Sequence, residues 1–92
     1  MKEIKAFVIS MCPYCARSKR AYKELIQEDS KYQYVEIQWI NEAQHPEIAE
    51  KYDYYYCPAF FIDDEKAFEA HPGQSYESIK ENVKAVMDEA LA

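Results

Sequence analysis

Met11-Cys12-Pro13-Tyr14-Cys15 follows the apolar run Ile4-Lys5-Ala6-Phe7-Val8-Ile9 and opens a segment rich in helix formers, Ala16 to Ile26. Two cysteines therefore stand where a strand hands over to a helix. Pro13 suits the first helical position, because its missing N–H would have had no partner there and its fixed φ fits a helix. Cys12 is then the N-cap. The free amides of the first turn and the positive end of the helix dipole face its sulfur and favour thiolate over thiol. Cys15, three residues on, returns to the same face, where it can close a disulfide with Cys12. Strand, Cys-x-x-Cys and helix in that order point to thiol–disulfide chemistry, with Cys12 and Cys15 as the reacting pair.

Two plainer readings compete. Cysteine is often a small buried hydrophobe, but Pro13 and the strand–helix junction argue for more than packing. A structural zinc site needs four ligands, usually as a second close pair. Only Cys57, His45 and His71 remain, scattered singly, so no metal is expected on that ground.

The chain has 92 residues, 49% of them hydrophobic, enough for one domain over residues 1–92 with a core of its own. Three cysteines leave one over if Cys12 pairs with Cys15, unlike a disulfide-stapled secreted domain. The start, Met1 to Lys5, runs into a charged strand without an apolar signal segment, and no stretch approaches membrane-spanning length. A reducing cytoplasmic setting and no membrane partner are the expectation. The net charge of −6 argues against nucleic acid as a partner. That charge is uneven: residues 1–40 carry seven Lys/Arg against five Asp/Glu, residues 41–92 four against twelve. Arg17, Lys19, Arg20 and Lys23 lie on the helix after the cysteine pair, as a solvated face or as a source of positive charge for the thiolate.

Residues 3–10 read as a strand covered on both faces, and Cys12 caps a helix to about Gln27 whose inward stripe is Cys15, Ser18, Tyr22, Leu25 and Ile26. Glu28 to Lys31 is a turn. Tyr32 to Ile40 alternates as a half-buried strand should, and strand–helix–strand implies a right-handed parallel unit. Pro46 opens a short helix through Lys51 with Ile48 inward. A tyrosine cluster, 52–56, leads to Cys57-Pro58, then a strand Ala59–Ile62, a tight turn at Asp63–Lys66 and a return strand Ala67–Ala70, necessarily antiparallel. After the turn His71–Gln74, Ser75 caps a final helix with Ile79, Val83, Val86 and Ala90 inward.

The order is βαβ, short helix, ββα: an α/β chain with a four-stranded mixed sheet flanked by helices. Cys-Pro-Tyr-Cys after the first strand, an X-Pro before the third, and a hairpin with a final helix resemble the glutaredoxins, within the thioredoxin fold. The resemblance covers nearly the whole chain. It implies a monomeric dithiol–disulfide oxidoreductase in which Cys12 attacks a disulfide of a protein or small molecule and Cys15 resolves the mixed disulfide. Electrons come from a reductant system, either glutathione or a thioredoxin-reductase-like enzyme. Pro58 is implied to be cis, with Tyr56 and Cys57 before it holding substrate in strand-like pairing. Pro13 and Tyr14 face the substrate between the cysteines, and Gly73, Gln74 and Ser75 stand where glutaredoxins hold a carboxylate of glutathione.

The chain departs from that family in three places. Glutaredoxins commonly have Thr-Val before the proline, and this chain has Tyr56-Cys57, which puts a third thiol within reach of Cys12. Cys57 is either an inert replacement for valine or an alternative redox partner. In the rival reading of a copper(I) or iron–sulfur carrier it is a ligand together with Cys12, with or without Cys15. The basic residue often found three before the first cysteine is Ile9 here, and the Gly-Gly turn before the last helix is reduced to Pro72-Gly73-Gln74-Ser75. Of the nine tyrosines, Tyr14 is expected to meet substrate, and alternation puts Tyr54 and Tyr56 on one side with Tyr55 on the other.

Overall fold

The computed structural model describes residues 1–92. In chain order it contains β1 (Ile4–Val8), α1 (Pro13–Glu28), β2 (Ile37–Asn41), α2 (Pro46–Ala49), β3 (Ala59–Ile62), β4 (Glu65–Glu69) and α3 (Tyr76–Leu91), with a 3-10 turn at Ser30–Tyr34. The sheet order is β2-β1-β3-β4, with β1 parallel to β2 and antiparallel to β3, and β3 antiparallel to β4. No helix is long and apolar enough to cross a membrane.

Alternation along β1 explains the layers. Ile4 and Ala6 face one way, where α1 and α3 cover them with Ala21, Leu25, Ile79, Val83, Val86 and Met87. Phe7 faces the other way, against Ile40, Ala59 and Phe61, with α2 and the tyrosines that follow it closing the layer. Phe7 has no exposed surface, and its ring lies 4.8 Å from Tyr52, 5.2 Å from Tyr54 and 5.7 Å from Phe61. The smaller layer is thus an aromatic cluster hung on one side chain of the central strand.

Two expectations are corrected. The strand expected from Tyr32 begins only at Ile37, because Asp29 accepts the N–H of Lys31 at 3.0 Å and starts a tight turn instead. That turn buries Tyr32 and Val35, three apart, and sends the Tyr32 hydroxyl to Asp88. On α1, Ala21 is buried, while Tyr22 and Ile26 lie half-buried at the edge. Elsewhere the bounds move by a few residues: β4 starts at Glu65 and α2 ends at Ala49. The turn between β3 and β4 is formed by Asp63 and Asp64 at φ 46° and 70°, the left-handed geometry that a two-residue hairpin requires. Ser75 caps α3, its hydroxyl accepting the Ser78 N–H at 3.1 Å.

Candidate active site

Helix α1 begins as its sequence dictates. Cys12 is extended at φ −108°, ψ 111°, Pro13 follows at the first turn, and the Cys12 sulfur accepts the Cys15 N–H at 3.2 Å. The first turn contains no acidic side chain, so nothing on the helix itself opposes negative charge at that sulfur. Met11, just before, takes a left-handed φ of 57° and is fully exposed beside half-buried Cys12. Cys15 is 4% exposed on the inner face of α1. All three cysteines are free thiols. Ile9, Met11, Pro13, Ala16 and Lys19 line an open groove around Cys12.

The Cys57–Pro58 peptide is cis and sits against this helix end. The Cys57 carbonyl accepts from the Cys12 thiol at 3.7 Å. The Cys57 thiol donates to Glu42 Oε1 at 2.9 Å, and its sulfur acts on the ionisation of Cys15. Cys57 thus meets Cys12 through its backbone carbonyl, while its thiol is bonded to Glu42. Glu42 also accepts from the Tyr54 hydroxyl at 3.0 Å. Burial and that carboxylate raise the Tyr54 hydroxyl well above its ordinary range, so it remains a donor.

The three sulfurs divide one charge. Cys57 draws Cys15 down to about 6, against burial and with help from the Cys12 thiol, the Ile9 backbone and the Lys19 ammonium. Burial and the Cys15 sulfur raise Cys12, against the amides of Cys15 and Tyr14. Cys57 is raised by Cys15, by burial and by Glu42. The sequence places the easily lost proton on Cys12 alone. In the structure the sulfurs lose their first proton as a unit, with the charge drawn toward Cys15 rather than held on Cys12 alone.

The expected substrate-side residues are distributed differently. Tyr14 is half-buried against the larger core cluster, with the Arg17 guanidinium 5.1 Å from its ring centre. Its hydroxyl accepts the Gly73 N–H at 2.7 Å. Gln74 is 6% exposed, its side chain bonded to the His71 N–H and the Ser78 hydroxyl, its own N–H given to the His71 carbonyl. Ser75 spends its hydroxyl on the cap. The polar groups expected to receive a glutathione carboxylate at Gly73, Gln74 and Ser75 are thus used within the chain. Residues 52–56 are not a strand, and their tyrosines do not alternate: Tyr54 packs on Phe7 and Phe61, while Tyr55 and Tyr56 are both exposed. His45 and His71 are exposed and stand away from the sulfurs at element ends.

Two carboxylates escaped sequence reasoning. Glu42 accepts from both the Cys57 thiol and the Tyr54 hydroxyl. Glu69 Oε2 accepts the N–H groups of Tyr55 and Tyr56 at 2.5 and 2.6 Å, while its Oε1 takes Lys66 at 2.9 Å, which fixes the approach to Cys57. Burial works against the Glu69 charge, but Lys66 and the two amides hold it below its ordinary range. Among seventeen acidic residues, nothing in spacing or neighbours marks these two; only the fold brings them to the site. No group of three or more His, Cys, Asp or Glu is arranged to hold a metal ion.

No family model and no curated protein matches the chain. Among solved structures, it is similar to human ERp44 in a zinc-bound form, at a TM-score of 0.60 and 16% identity, and to the crystal structure of human ERp44, at 0.55 and 17%. Each match covers 94% of this chain but 27% of the other, so the chain spans about a quarter of the structures it matches. At such identities the likeness is one of architecture. With the order β2-β1-β3-β4 and helices on both faces, it gives the chain the thioredoxin fold.

Proposed function

We propose that this chain is a glutaredoxin-like dithiol–disulfide oxidoreductase. The observation that carries the reading is the seat of Cys12: its sulfur receives the Cys15 N–H at 3.2 Å, and the Cys57 carbonyl lies 3.7 Å away. Charge held near Cys15 is passed outward as a disulfide approaches: the Cys12 proton moves to Cys15, and the Cys12 sulfur attacks. The leaving thiolate of the substrate takes up a proton, and a mixed disulfide on Cys12 remains. Cys15 then loses its proton and attacks the Cys12 sulfur, expelling the second substrate thiol and closing a Cys12–Cys15 disulfide. Two electrons have passed from the protein to the substrate.

Exposed Met11 beside Cys12, with the exposed Tyr55 and Tyr56 leading to Cys57, favours a disulfide-containing protein over a small molecule as substrate, since such side chains supply apolar contact area. Backbone groups at Cys57 beside Pro58 would pair with an extended segment of that protein. The reductant that reopens the bridge is glutathione or a thioredoxin-reductase-like flavoprotein. The internal use of the Gly73 and Gln74 amides favours the flavoprotein. The setting is a reducing cytoplasm, the chain a monomer, and the potential in the glutaredoxin range of roughly −200 to −230 mV.

The test is reduction of a protein disulfide with each electron source, beside a Cys12→Ser variant. Turnover in the wild type and none in the variant is expected. Equal rates in the two would remove Cys12 from the mechanism, and no turnover with either source would defeat the reading.

A further inference from the structure

We propose that Cys57 is a third exchanging thiol, which takes Cys15 over from the oxidised Cys12–Cys15 bridge and returns a free Cys12 thiolate to the surface. The inference rests on the Cys12–Cys15 cycle proposed above and adds a second disulfide to it. The geometry points this way because the Cys57 sulfur has polar company. Its thiol donates to Glu42 Oε1 at 2.9 Å and its carbonyl lies 3.7 Å from the Cys12 sulfur, which in turn takes the Cys15 N–H at 3.2 Å, whereas an inert replacement for valine would be packed among apolar groups. Glu42 is itself held in place by the Tyr54 hydroxyl at 3.0 Å. A nucleophile and its proton acceptor are therefore paired beside the cysteine couple, in contacts that the Cys12–Cys15 cycle does not use.

The step needs no outside oxidant. Glu42 takes the Cys57 proton, and the Cys57 thiolate attacks the Cys15 sulfur of the bridge. The Cys15–Cys57 bond forms as the Cys12–Cys15 bond breaks, and Cys12 leaves as thiolate. One disulfide replaces another and the protein keeps both oxidising equivalents. The leaving sulfur departs toward the Cys15 N–H, which already lies 3.2 Å from it. With Cys15 tied to Cys57, the Cys15 charge that opposes a Cys12 thiolate is gone, and the amides of Cys15 and Tyr14 act on it unopposed by that charge. In this form Cys12 still attacks a partner's disulfide, but Cys15 cannot resolve the product. The mixed disulfide then persists until a thiol from outside releases it.

Titration of the reduced wild type and the Cys12→Ser variant with oxidised glutathione, acid quenching, alkylation and peptide mapping tests the proposal. The variant is expected to close a Cys15–Cys57 bridge, and oxidised wild type to yield two populations, one alkylated at Cys57 and one at Cys12. Glu42→Gln should slow the appearance of the second population on the order of 100-fold, the range for a positioned proton acceptor. A Cys12→Ser protein that keeps both thiols under conditions that fully oxidise the wild type would overturn the proposal, as would wild type alkylated at Cys57 alone. Both of those outcomes leave the oxidoreductase reading standing. Wild type that never closes Cys12–Cys15 would overturn that reading and this proposal together.

Discussion

Replacing Cys57 by alanine should move the first ionisation of the reduced site from mildly acidic pH into the ordinary thiol range. Cys57 is the largest influence holding Cys15 at about 6 against an ordinary 9.0. Those three units amount to about 4 kcal/mol at about 1.4 kcal/mol each. The sign follows from proton counting. Between about 6 and 9.0 the folded wild type has lost a proton that the unfolded chain retains, so its stability rises with pH by up to about 1.4 kcal/mol per unit across that window. The contribution is complete above 9.0 and is lost as pH falls through about 6. Cys12 and Cys57, both raised, act in the opposite sense at higher pH. Thiolate absorbance in the ultraviolet follows the titration directly, and urea unfolding at several pH values follows its linked stability. The alanine variant should show a higher first midpoint and a flatter stability profile through this window. A variant that keeps the wild-type midpoint would show that the amides at Cys12, rather than the third thiol, set the first ionisation. The charge would then sit on the outer sulfur.

Other perturbations test the surroundings. Glu69→Gln removes the charge that accepts the Tyr55 and Tyr56 amides and Lys66, and should cost about 1.5–3 kcal/mol, read as a lower Tm; an unchanged Tm would mean that this loop does not depend on the carboxylate. Because the Glu69 carboxyl is held below its ordinary 4.5, its contribution is present above that pH and fades as pH falls through the depressed value, a dependence Glu69→Gln should lack. Phe7→Ala empties the centre of the smaller aromatic layer and should cost about 3–5 kcal/mol in urea unfolding, while a cost under about 1 kcal/mol would mean that the layer collapses around the gap. Tyr14→Phe should cost about 1 kcal/mol through the lost Gly73 bond and lower the KM for glutathione if that amide is what glutathione lacks; an unchanged KM would place the obstacle elsewhere.

What the sequence disclosed and what it concealed divide along the reach of each interaction. The Cys12 cap, the Ser75 cap and the Asp63-Asp64 turn are decided within a few residues, and each is where local pattern puts it. The strand expected at Tyr32 failed for the same reason in reverse: Tyr32 and Val35 are apolar neighbours in an alternating run, but Asp29 closes a turn on Lys31 before the run can extend. The site is harder because its electrostatics are assembled from afar. Glu42 meets Cys57 across fifteen residues, Glu69 meets Tyr56 across thirteen, and Gly73 meets Tyr14 across fifty-nine. Each contact spends a group that a local reading counts as free. The Gly73 amide looks available for an anion until Tyr14 takes it, and the Cys57 thiol looks free until Glu42 takes its proton in a hydrogen bond. A motif identifies which atoms react, but the order in which they lose protons is set by residues that the motif does not contain. Chains that keep Cys-Pro-Tyr-Cys and lack a thiol before the proline should therefore differ from this one first in the titration of their sulfurs, before any difference in fold.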